Sequence, residues 1–253
     1  MFELTIVFKT ITPFISQNEC PSGREIRGLF KEYAKILNAE HLTEDMIFKN
    51  SISIGKVKTG YFTVYNRGYK RYKGHLGTYR AKIYAKDRNA ILPIIEMLKL
   101  NILGIGKGRT HGFGKIELKN HSLKKVDILF KKCNLVELSA GKFFLSEKRV
   151  PKPKVFSDAL RSFIEWLKDE KCKMPTVYHD GKIFAKRLRK ERIFKTVGCK
   201  TYTIDGFTYI TTKPVTLKFA EPFTIPVTSG IWGVGEYITH GYGTLKINKA
   251  ALV

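Results

Sequence analysis

Acidic residues are scarce in this 253-residue chain: 22 Asp and Glu stand against 46 Lys and Arg, a formal net charge of +24. Solubility does not require such an excess, and it excludes an acidic, self-solvating chain. A polyanionic partner is the direct inference, because each phosphate neutralised by Lys or Arg releases a condensed counterion. A lysine-rich thermophilic surface is the competing explanation, but such surfaces balance Lys with Glu, and this one does not. Cysteine is scarce as well. Cys20, Cys133, Cys172 and Cys199 lie far apart with no C-x-x-C pair, which argues against both a zinc site and a disulfide framework. No apolar run reaches about 18 residues, and no charged-then-apolar leader precedes a small-residue cleavage site. No membrane partner is expected, and the cytoplasm is the expected compartment. Carboxylates do not cluster as a metal-dependent nuclease would need; Glu40, Glu44 and Asp45 form the nearest group and read as a solvated helix end. No metal and no cofactor are expected.

What the chain has in quantity is glycine at fixed spacing. Asn101–Lys119 (NILGIGKGRTHGFGKIELK) and Ser229–Lys246 (SGIWGVGEYITHGYGTLK) both carry G-x-G-x5-G-x-G followed by a strand-like run. The first set is Gly104, Gly106, Gly112 and Gly114; the second is Gly233, Gly235, Gly241 and Gly243, displaced by 129 residues, close to half the chain. Thr-His-Gly-aromatic-Gly recurs inside both, at Thr110–Gly114 and Thr239–Gly243. Two copies of one domain are the reading. Glycine at this density permits positive φ and close backbone approach, and successive amides in such a loop can form an anion-binding concavity. Lys107, Arg109, His111 and Lys115 in the first copy favour a phosphate-bearing ligand. Plain glycine-rich hairpin turns are the alternative. The spacing is neither a P-loop nor a dinucleotide fingerprint.

Hydrophobic periodicity places the loops in a larger pattern. FELTIVF (residues 2–8) alternates as a strand, and from Glu25 the apolar residues Ile26, Leu29, Phe30, Tyr33 and Leu37 take a helical period. Strand signals resume at Ser51–Val57 and through Gly60–Lys86, two β-rich runs rich in Tyr, Lys and Arg. That hairpin puts cations beside aromatic rings, as single-strand binding uses, or else its tyrosines merely cover a sheet. A helix is predicted over Ala90–Leu100 with Pro93 in its first turn, then the loop and a strand Lys115–Lys119. Residues 120–126 read as a linker. The order is β-α-β-β-α-β, the ferredoxin-like arrangement. The second half follows with strands in Val126–Leu145, a helix Asp158–Glu170 capped by Ser157, a basic β-ribbon over Lys182–Lys200, and a strand pair in Phe207–Phe219. EPFTIPVTSG, with Pro222 and Pro226, opposes a helix before the second glycine loop. The expectation is an α+β protein of tandem ferredoxin-like domains, residues 1–120 and 126–253, the second shortened or distorted.

With its paired loops, each before a final strand, and with Pro21–Phe30 (PSGREIRGLF) leading into the first helix, the chain resembles the RAMP superfamily of CRISPR-associated proteins. That resemblance implies binding or processing of CRISPR RNA, single-stranded or hairpin. The RNA would be held by Gly104, Gly106, Lys107, Arg109, His111, Gly112 and Gly114, by Gly233, Gly235, His240, Gly241 and Gly243, and by Lys186, Arg187, Arg189, Lys190 and Arg192 of the second-half ribbon. The superfamily branch that cuts CRISPR repeats needs no metal: a ribose 2′-hydroxyl attacks the adjacent phosphate. A base takes that proton, an acid serves the leaving 5′-oxygen and a cation steadies the phosphorane. Near the first helix this sequence offers His41 as base or acid, Lys49 as phosphate stabiliser and Tyr33 as orienting group, with His75, His111 and His240 as rivals. The resemblance therefore implies a metal-independent endoribonuclease. The alternative is a non-catalytic subunit that holds RNA among other CRISPR effector subunits, which a full glycine loop in the first domain favours. A single-strand-binding module outside CRISPR systems is a third reading.

Overall fold

A computed structural model describes residues 1–16, 19–65, 69–141, 143–145, 154–168, 174–175, 177–180, 185–188, 194–196, 199–202, 208–212, 214–235 and 238–253. The chain divides into two compact units, Met1–Val126 with Ile193–Thr203, and Asp127–Arg192 with Ile204–Val253.

The first unit holds β1 (Phe2–Thr10), β2 (Phe14–Ile15), α1 (Gly23–Ile36), β3 (Ile47–Phe48), β4 (Ile52–Tyr65), β5 (Tyr69–Ala85), α2 (Arg88–Lys99) and β6 (Ile116–Lys125). Its main sheet runs β4-β5-β1-β6, antiparallel throughout. With α1 and α2 as the crossovers, this is the ferredoxin-like order. Alternation along β1 sends Leu4, Ile6 and Phe8 into the core at 0% exposure. A Ser22–Glu25 capping box starts α1, the Ser22 amide donating to Glu25 Oε2 at 2.6 Å. Ile26, Leu29, Phe30 and Tyr33 then form its buried stripe. Each such apolar side chain contributes about 1.5–3 kcal/mol on burial.

Two expectations change here. Asp87 accepts from the Asn89 amide at 2.9 Å and starts α2 before Ala90, so Pro93 falls in the second turn rather than the first. Residues 120–125 are not a linker: β6 continues through them, pairing Asn120–Lys125 with Phe2–Val7.

The second unit holds β7 (Phe130–Ala140), β8 (Phe143–Leu145), α3 (Lys154–Leu167), β9 (Val177–Asp180), β10 (Ala185–Leu188), β13 (Thr208–Thr212), β14 (Val215–Pro226) and β15 (Leu245–Ala251); β11 (Phe194–Thr196) and β12 (Cys199–Tyr202) belong to the first unit. Its sheet order β9-β14-β7-β15, again antiparallel, repeats the first. Among the described residues between β14 and β15 the only helical turn is the 3-10 turn Ile238–His240. The second fold is thus ferredoxin-like with one crossover helix missing. Pro222 lies where β14 loses register against β7, between Lys218 and Phe223, a position that needs no ladder amide. Ser157 does not cap α3: the helix begins at Lys154, and the Ser157 hydroxyl donates back to the Lys154 carbonyl at 2.9 Å. Lys182–Lys200 is not one ribbon either. β10 pairs with β13, whereas β11 pairs with β12.

Candidate nucleic-acid interface

The first glycine loop closes on itself. The Ile105 amide donates to the Gly114 carbonyl at 2.9 Å, and Gly104 bridges Lys115 across the neck. At this neck a Cβ on Gly104 would stand 2.8 Å from the Gly114 oxygen, and one on Gly114 would collide with the Ile105 carbonyl. Between the strands a 3-10 turn, Arg109–His111, is flanked by Gly108 and Gly112 at φ 72° and 83°, a region side chains enter only at a cost. The Thr12 hydroxyl donates to the Gly112 carbonyl at 2.7 Å and accepts from the Lys115 amide at 2.9 Å, tying the loop to the segment after β1.

The second loop repeats this backbone. Val234 donates to Gly243 at 2.8 Å, Gly233 bridges Thr244, the 3-10 turn is Ile238–His240, and Gly235, Gly241 and Gly243 have φ of 85°, 88° and 63°. Cβ atoms on Gly233 and Gly243 would strike the Tyr242 and Val234 carbonyls. The sequence repeat is therefore a conformational repeat.

The loops differ in what they can bind. In the first, the amides of Ile105, Lys107, His111, Gly112, Phe113 and Gly114 all donate to backbone carbonyls. The amide concavity expected from the glycines is thus largely used up by bonds within the loop and to Pro13 and Ile15. Its capacity for phosphate lies instead in exposed side chains, Lys107, Arg109, His111 and Lys115. Arg109 is 3.8 Å from Glu32 on α1, and the Thr110 hydroxyl lies 3.3 Å from His111 Nδ1. In the second loop the corresponding residues are Glu236, Ile238, His240 and Thr244, so the cationic rim is missing. There the loop packs: Ile231, Trp232, Val234 and Tyr242 are buried, and Trp232 stacks on Phe163 of α3 at 5.7 Å and 14°. Val234 joins the core of the second unit.

Tyr33, His41 and Lys49 occupy three different settings. Tyr33 is fully buried, and its hydroxyl accepts from the Leu103 amide at 3.3 Å, one residue before Gly104. Burial pushes its pKa up. An orienting contact with RNA is not open to it; it holds the start of the glycine loop. His41 is exposed in the 3-10 turn Glu40–Thr43, beyond the C-terminal end of α1. Lys49 follows β3, its amide donating to the Lys82 carbonyl at 2.9 Å, and the next residue, Asn50, accepts from Gly23 at the opposite end of α1. Lys49 Nζ is shielded from solvent without a hydrogen-bond partner among the described residues, and burial pulls its pKa down to about 7. No described hydrogen bond or ion pair joins any two of the three.

Of the rival histidines, His75 is fully buried, its ring nitrogens against Thr59 Oγ1 at 3.1 Å and the Ser16 carbonyl at 3.2 Å, and burial lowers its pKa. Lys186 and Arg187 lie on β10, while Arg189, Lys190 and Arg192 lie outside the described residues. The role of Thr12 in fixing the first loop was not read from the sequence: it is 100 residues from Gly112, and nothing local marks it.

No family model and no curated protein matches the chain. Solved structures do. One is a Type III-B Cmr-beta complex bound to cognate target RNA, where the match is 16% identical with a TM-score of 0.41 and spans 49% of this chain and 61% of that one. A Cas6-related protein from Pyrococcus furiosus is 15% identical over 98% of both chains with a TM-score of 0.46. A Cas6 in a product complex is 12% identical over 97% of this chain and 99% of that one, with a TM-score of 0.49.

Proposed function

We propose that this chain binds CRISPR RNA and cuts it within its repeats without a metal ion. The observation that carries the binding is the exposed rim of Lys107, Arg109, His111 and Lys115 on a loop whose close neck leaves no room for a Cβ at Gly104 or Gly114. A net charge of +24 supplies the long-range attraction. For cleavage, Lys49 at a pKa of about 7 is divided between charged and neutral forms near neutral pH, so it can steady a phosphorane or exchange a proton once RNA binding uncovers its Nζ, which is shielded in the free chain. His41 or His111, both exposed, is the second proton-transfer group. Tyr33 is a positioning residue acting through Leu103. The products of 2′-hydroxyl attack are a 5′-hydroxyl end and a 2′,3′-cyclic phosphate or 3′-phosphate.

A second reading, a subunit that holds RNA for a multiprotein CRISPR effector without cutting, is favoured by a specific observation. His41 lies in the turn beyond the C-terminal end of α1, whereas Asn50, the residue after Lys49, accepts from Gly23 at the N-terminal end of that helix, which has 14 residues and is about 21 Å long. The two readings separate on a labelled repeat RNA incubated in EDTA beside the same RNA carrying single 2′-deoxy substitutions. Cleavage in EDTA, abolished by one substitution, is the expected result. Tight binding with no cut sinks the nuclease and supports the holding subunit.

A further inference from the structure

From Met46 to Lys86 the chain has no Asp or Glu, yet it carries ten Lys and Arg and six of the 12 tyrosines. β1 covers β5 only from Thr78 to Ala85, and β2 adds Gly74 and His75. Beyond these, among the described residues, β4 and β5 pair only with each other, with Tyr61 opposite Lys73 and Phe62 opposite Tyr72.

A two-stranded ribbon is marginal in water, and this one is braced at its root on both faces. On one face Thr59 and His75 are bonded at 3.1 Å, and His75 lies 5.3 Å from the Phe14 ring. On the other, Phe62 lies over Gly74, where a Cβ would collide with its ring, and meets Phe113 of the first glycine loop at 6.0 Å, nearly edge-on. The backbone makes the same link, since Ile15 pairs with Gly74 of β5 and bridges Lys107 of the loop. Loop and ribbon therefore share one framework. Two residues beyond Thr59, on the same face, Tyr61 is 63% exposed, and its register partner Lys73 shares that face. Core packing does not account for Tyr61, which belongs to neither buried cluster.

We propose that this ribbon is a further RNA-binding element, in which a base of a single strand stacks on Tyr61 and Lys73 neutralises a neighbouring phosphate. The inference rests on the RNA-binding reading of the first loop and extends its surface along the ribbon. A single strand fits because its base faces are open to an aromatic ring, and the stretch itself carries no acid to repel its phosphates.

The test is fluorescence anisotropy of a labelled single-stranded RNA with the wild-type chain and with Tyr61→Phe, Tyr61→Ala and Lys73→Gln, alongside thermal melts. Tyr61→Phe keeps the ring and binds like wild type. Tyr61→Ala binds about 5- to 100-fold more weakly, the range of one base–aromatic stack, with its melting temperature unchanged. Lys73→Gln lowers the slope of log affinity against log salt by about 0.7, one phosphate on a single strand. Wild-type affinity in Tyr61→Ala overturns the ribbon contact and leaves the loop reading standing. A loss as large in Tyr61→Phe overturns stacking, and a loss matched by unfolding assigns Tyr61 to the fold. Failure of the wild type itself to bind overturns the reading on which this one rests.

Discussion

Lys49 is a buried cation with no described partner, and its energetics have a sign that can be checked. Its pKa in the folded chain, about 7, lies below the ordinary lysine value of 10.5. The unfolded chain therefore binds more protons between these two values, and stability rises with pH across that window. The full penalty is present below pH 7. Lys49→Met is expected to stabilise the fold at pH 6 by an amount on the order of 2–4 kcal/mol, with the gain shrinking towards pH 10, while RNA cleavage is lost. Paired thermal melts of wild type and variant at the two pH values check this. A variant less stable at pH 6 would mean that Lys49 has an anionic partner. Tyr33 shows why the residue scale was only half legible. The helical period placed it on the apolar face, but its bond to Leu103, 70 residues away, is a tertiary contact that no local spacing encodes.

At the scale of elements, the glycines of one motif do two different jobs. Gly104 and Gly114 let two backbone segments touch, whereas Gly112 meets nothing within 4 Å and serves only its φ of 83°. Gly112→Ala should therefore cost about 1–2 kcal/mol of backbone strain and still fold, with RNA affinity reduced as the Arg109–His111 turn shifts. Gly114→Ala should lose the fold of the first unit. Circular dichroism melts with RNA titrations separate the two, and equal unfolding in both would return the loop to a purely structural part. The repeat, the β-α-β-β-α-β order and the missing second helix were legible because glycine spacing, apolar period and Pro222 with Pro226 are local signals. The extension of β6 through residues 120–125 was not. Its residues Asn120, His121 and Ser122 are polar, and they are strand because β1 offers them an edge. The division of labour between the loops became visible only with the geometry, which showed amides engaged within the first loop and Trp232 packed on α3 beside the second.

For the molecule as a whole, the excess of cations is the dominant physical fact, and its consequence is a steep dependence of RNA affinity on salt. Lysines and arginines that meet phosphates add affinity with little regard to sequence, so the dependence should be shared by repeat and unrelated single-stranded RNA, with the repeat tighter at every ionic strength. The most direct measurement is the affinity of the purified chain for a CRISPR-repeat RNA across a series of salt concentrations. Several phosphate contacts to a single strand predict a slope of log affinity against log salt between about −3 and −7. An affinity that does not change with salt, or no binding at low salt, would contradict the account of this chain as an RNA-binding protein.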